Sequence, residues 1–78
     1  MNFWFDVWDQ QSGNLVNSFD TLSGALDSLK RSYRPELASW FESLVVTKEF
    51  DSDDDPQVIL SGSKILVEIG AMPRMKSA

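Results

Sequence analysis

No cysteine and no histidine occur among the 78 residues of the chain. Their absence excludes a disulfide framework and a zinc knuckle, the usual staples of a small domain. It also leaves nucleophilic and acid–base chemistry to carboxylates, lysines and the single tyrosine, Tyr33. Long apolar runs are missing as well, since none approaches the roughly 18 residues a membrane-spanning helix needs. The first residues carry neither a basic region nor a small-residue cleavage site, so no secretory leader is expected and a cytoplasmic location is. Positive charge is scarce: 7 Lys and Arg stand against 12 Asp and Glu, giving a net charge of −5 and a pI near 4.4. That balance disfavours unaided binding to nucleic acid or an anionic membrane and suits solubility or a basic partner.

Apolar packing is what remains. A hydrophobic content of 42%, with 12% aromatic residues, is enough for an ordinary core and argues against disorder. A single domain of this length buries only about 60% of its unfolded surface. Each of the three Trp must therefore count, because a large apolar side chain contributes roughly 1.5–3 kcal/mol when fully buried.

The stretch "FWFDVW" (3–8) alternates Phe3, Phe5 and Val7 on one strand face with Trp4 and Trp8 on the other. "DQQSGN" (9–14) reads as a hairpin loop, with Asp9 accepting from amides further along and Gly13 closing the turn. It leads to a second strand, 14–19. Pairing Asp9 with Asn14 sets Trp8 opposite Leu15, Val7 opposite Val16, Phe5 opposite Ser18 and Trp4 opposite Phe19. Trp4, Trp8, Leu15 and Phe19 then share one face, and Phe3, Phe5, Val7 and Val16 the other. Both faces are apolar.

"TLSGALDSLKR" follows, with Thr21 as helix cap and Leu22, Ala25, Leu26 and Leu29 on one stripe. Lys30 and Arg31 oppose the dipole, and Pro35 ends the helix by Tyr33. "PELASWF" suits a short helical turn carrying Leu37, Trp40 and Phe41. "LVVTKEF" (44–50) and "QVIL" (57–60) read as strands around the turn "DSDDDP". "KILVEIG" (64–70) has β-branched residues that favour a strand and a preceding Ser63 that favours a helix cap.

Residues 3–31, with the F-D-T step at 19–21 and the A-L pair Ala25-Leu26, resemble short bacterial domains of unassigned function. Those domains have an aromatic strand, a D-x-x-S-G-N turn, F-D-[ST] and a helix containing A-L. "LVVTKEFDSDDDPQVILSGSKILVEI" looks like their second half, in which a strand, an acidic turn and a strand precede a terminal helix. Ser23 and Gly24 depart from the Glu those domains tend to carry in the first helical turn. The resemblance implies a fold and a terminal helix, and no catalytic residue.

The expected architecture is α+β: an antiparallel four-stranded sheet in the order ββα, short helical turn, ββ, with a C-terminal short helix or strand. Residues 1–70 are expected to form the single domain and 71–78 a basic, frayed tail. A terminal helix could lie across the face of the sheet left bare by the first helix.

Candidate sites are few. Asp51, Asp53 and Asp55 match positions 1, 3 and 5 of an EF loop, but Pro56 replaces its Gly and Gly62 its Glu, so calcium binding is the weakest reading. Lys30, Arg31 and Arg34 around Tyr33 offer a nucleic-acid contact as the alternative function. Asp6, between two Trp, is the carboxylate whose surroundings invite a raised pKa; hydrogen bonding to Asn17 is the plainer role. No enzyme, cofactor or metal site is expected. The strongest signal is aromatic. Trp4, Trp8, Phe19, Trp40 and Phe41 are expected to form an interaction surface for another protein or a second copy of the chain, in a homodimer or a bacterial or phage regulatory complex.

Overall fold

The computed structural model describes residues 2–73. It is an α+β fold with β1 (Phe3–Asp9), β2 (Asn14–Phe19), α1 (Leu22–Ser32), a 3-10 turn (Pro35–Leu37), α2 (Ala38–Glu42), β3 (Leu44–Phe50), β4 (Gln57–Ser61) and α3 (Ser63–Glu68). The strands form one antiparallel sheet in the order β2-β1-β3-β4.

The hairpin closes as its residue types require. The Gln11 amide donates to the Asp9 carboxylate at 2.9 Å, the Gly13 amide to the Asp9 carbonyl at 2.7 Å, and Gly13 adopts φ 75°. Asp9 pairs with Asn14 and Trp8 with Leu15, but a bulge at Val16 then shifts the register. Val7 faces Asn17, Asp6 faces Ser18 and Phe5 faces Phe19. The expected pairings of Val7 with Val16, Phe5 with Ser18 and Trp4 with Phe19 are thereby corrected. One extra residue moves every side chain beyond it to the opposite face. Phe19 therefore lies with Phe5, packed against the core, and not with the two Trp.

The Thr21 hydroxyl accepts from the Gly24 amide at 3.0 Å and starts α1. Its stripe buries Ala25 and Leu29, with Leu22 and Leu26 half-buried beside them. Phe41 of α2 and Ile65 and Leu66 of α3 enter the same cluster as Phe5, Val7, Leu44 and Val46. Hence α3 is a helix, and it lies on the side of the sheet that α1 and α2 occupy, against α2. The expectation that it could cover the opposite face is not met. Its start also differs: Ser63 is the first helical residue, Gly62 precedes it at φ 55°, and no side chain caps it. The reason for the placement is compositional. Ile65, Leu66 and Ile69 make one stripe, and the unfilled space beside Phe41 and Leu44 lies on the helical side.

The shortest principal extent of the molecule is 20 Å. That is the thickness of one sheet and one helical layer at about 10 Å each. Among the described residues there are two layers and not three. At the C-terminal end the Ala71 and Met72 amides still donate to the Leu66 carbonyl, at 2.8 and 3.2 Å. Residues 74–78 of the expected tail lie outside the described residues.

Candidate functional site

Directly paired residues of an antiparallel sheet share a face, so the register defines the helix-free side. Its first row is Leu15, Trp8, Val45 and Ser61; its second is Ser18, Asp6, Thr47 and Val58; its third is Trp4 and Glu49. Val45, Asp6 and Thr47 are only 6%, 6% and 8% exposed although no helix of the described residues lies over them. Side chains of their own face must cover them, and the half-buried Trp4 and Trp8 are the large ones available. The Trp8 indole leans across β3, donating from Nε1 to Thr47 Oγ1 at 3.1 Å. Leu15 and Val58, at 47% and 66% exposed, form an apolar rim on the two edge strands.

The polar groups of this face are wired together. The Thr47 hydroxyl in turn donates to Glu49 Oε2 at 2.6 Å, so Trp8, Thr47 and Glu49 form a diagonal chain of hydrogen bonds ending on a carboxylate. Asp6 Oδ1 accepts from the Ser18 hydroxyl at 2.6 Å, not from Asn17 as the sequence had suggested. The bulge makes the difference, because it sets Ser18 rather than Asn17 opposite Asp6. Both charged side chains of the face are anionic. Lys48, the neighbouring cation, points to the helical side and sits 4.1 Å from the centre of the Phe3 ring.

Of the five expected contact residues, the structure brings only Trp4 and Trp8 together. Phe41 is 0% exposed, with Tyr33 and Trp40 packed edge-on at 5.1 and 5.4 Å between ring centroids. Phe19 and Trp40 are half-buried against the same core. The grouping of Phe19, Trp40 and Phe41 with the interaction surface is therefore corrected: all three serve the helical side. Val45, Thr47 and Glu49 join the face unannounced, since nothing in the sequence pairs β3 with β1. The signal available was their alternation with Leu44, Val46 and Lys48.

Trp40 has a separate task. Its Nε1 donates to Asp9 Oδ2 at 3.1 Å, and the Gln10 amide donates to the Ser43 carbonyl at 2.9 Å, so the hairpin loop is tied to the end of α2. The Trp40 hydrogen bond is the main reason the Asp9 carboxyl is held below its ordinary value of 3.8; burial opposes it and the Gln11 amide adds to it. A carboxylate depressed in the folded state stabilises fully above its unfolded pKa and loses that contribution as pH falls through the lower folded value. The Trp40 indole N–H resonance is accordingly expected to titrate with a midpoint below 3.8. Asp9→Asn should abolish that titration; a midpoint at or above 3.8 would contradict the bond.

The other candidate clusters do not assemble into sites of this kind. The Tyr33 ring is engaged with Phe41, which leaves Lys30, Arg31 and Arg34 exposed around a tyrosine that belongs to the core. In the acidic turn Ser52 bonds Asp54 at 3.0 Å, and among the described residues no three carboxylates are placed to hold a metal ion. No helix among them is long and apolar enough to cross a membrane.

Comparison with protein families, curated proteins and solved structures finds no match. The face itself carries the functional argument.

Proposed function

We propose that the chain is a non-enzymatic protein-interaction module whose contact surface is the helix-free face of its sheet. The observation that carries this reading is the placement of α1, α2 and α3 on one side, which leaves Trp4 and Trp8 on the other. Two half-buried Trp between the exposed Leu15 and Val58 make this side of the sheet an apolar surface, and aromatic residues are the commonest anchors of protein interfaces. The face spans roughly 14 Å by 23 Å from strand spacing and rise, less than half of the roughly 800 Å² per partner of a standard interface, so a contact centred on it would extend past the sheet. The sheet edges suit association less well. Bulges interrupt both β2 and β4, and the Asn17 side chain accepts from the Ser18 amide at 2.8 Å.

Stability separates a contact residue from a core residue. Trp4→Thr is expected to lower the unfolding free energy by no more than about 2 kcal/mol, because Trp4 is only half-buried over its own sheet face and is not packed into the helical-side core, and a threonine suits a strand. A loss of about 3–5 kcal/mol, the cost of truncating a core Trp, would show that Trp4 serves the fold and would overturn the proposal. Sedimentation of the wild type and the variant adds the identity of the partner. A dimer that Trp4→Thr converts to a folded monomer makes the partner a second copy.

A further inference from the structure

Resting on that reading, we infer that Glu49 is a positioning residue of the contact face. Acting through the Thr47 hydroxyl, it holds the Trp8 indole across β3, so that a partner meets only the carbon surface of that ring. Trp8 stands opposite Val45 on β3, with Thr47 and Glu49 following at alternate positions of the same face. The indole has one polar atom, Nε1, and it donates to Thr47 Oγ1 at 3.1 Å. The hydrogen bond from Thr47 to Glu49 Oε2, at 2.6 Å, is the link by which Glu49 reaches Trp8.

A threonine hydroxyl has one proton to give and lone pairs with which to accept. Its rotor settles where both are used. The carboxylate takes the proton in a short, charge-assisted bond, and that choice leaves a lone pair directed at the indole. Thr47 is buried, so bulk water is poorly placed to act in the carboxylate's stead. Without Glu49 the proton must turn to another acceptor, and the lone pairs turn with it. The same bonds account for a hydroxyl and a carboxylate beside Trp8 and Val45, since among the described residues no buried side-chain nitrogen or oxygen lacks a partner. They are spent on one another and on the indole. A ring held in place before contact then loses less freedom when the contact forms.

The test measures exchange of the indole N–H protons with water by two-dimensional NMR, in the wild-type chain and in Thr47→Val and Glu49→Ala. Thr47→Val should speed exchange at Trp8 about fivefold, the loss of one hydrogen bond, and move its N–H resonance upfield. Glu49→Ala removes nothing that Trp8 itself touches through its N–H, yet it should speed exchange there about threefold. Glu49→Gln, whose amide oxygen still accepts from Thr47, should restore most of the protection. Trp40, bonded to Asp9 at the end of α2, serves as the internal control and should not respond. Unchanged exchange at Trp8 in the folded Glu49→Ala protein would overturn the inference. So would an acceleration that Trp40 shares equally, which marks a general loss of stability. Either failure leaves the stability test on Trp4 untouched, so a contact face without this relay remains distinguishable from no contact face at all.

Discussion

Replacing Phe41 with alanine will cost the domain about 3–5 kcal/mol, the range for a large aromatic removed from a packed core. Phe41 is 0% exposed, meets Tyr33 and Trp40 edge-on, and shares its cluster with Leu44, Ile65 and Leu66. It is the point at which α2, α3 and the sheet meet, so no single neighbour could collapse into the cavity. A domain of this length has roughly 4–12 kcal/mol of stability in all. The variant should therefore unfold at much lower urea, with the melting temperature falling by about 4–8 °C for each kcal/mol lost. Equilibrium urea unfolding followed by far-UV circular dichroism measures it. A loss under about 1 kcal/mol would contradict the burial of Phe41 at the junction of α2, α3 and the sheet.

Gly62→Ala is the second large effect, and its cause is backbone geometry. Gly62 adopts φ 55° and ψ −125°, a region closed to residues with a Cβ. A Cβ there would stand 3.1 Å from the Glu42 carbonyl oxygen, at the end of α2. The Gly62 amide also donates to the Leu44 carbonyl at 3.0 Å, which prevents the segment from swinging clear. Strain of this kind costs about 1–3 kcal/mol, and here the contact with backbone adds to it. The same denaturation experiment checks it, with Gly13→Ala as the comparison. Gly13 has φ 75° but open space around its Cβ position, so its replacement should cost less. Equal losses at the two glycines would mean that the approach to Glu42 is relaxed at no cost.

Much of this fold was legible because the signals are local. The β2 span matches the reading from alternation and turn residues, as does that of β3, and Thr21 caps α1 as its position implied. The Asp9 and Gly13 roles follow from turn chemistry that needs no distant partner. The site was only half legible. Alternation within "FWFDVW" put Trp4 and Trp8 on one face of β1, but the bulge at Val16 is invisible in composition. It decided both that Phe19 joins the core and that Ser18 reaches Asp6. Trp40 looked like a third contact residue because Trp is an interface residue by habit; the carboxylate of Asp9, 31 positions away in sequence, claims it instead.

Alone, the sequence determined the elements as far as β4 but not whether 64–70 is helix or strand, and it determined their apolar stripes, the lack of catalytic nucleophiles of the Cys and His kind, and the excess of negative charge. These are properties of residue type and short-range spacing. The tertiary structure decided the strand order, the side of the sheet that α3 covers, and hence that among the described residues no helical layer lies on the Trp4–Asp6–Trp8 side. That choice turns on long-range packing: the stripe of Ile65, Leu66 and Ile69 fills space beside Phe41 and Leu44 that exists only once α2 and β3 are in place.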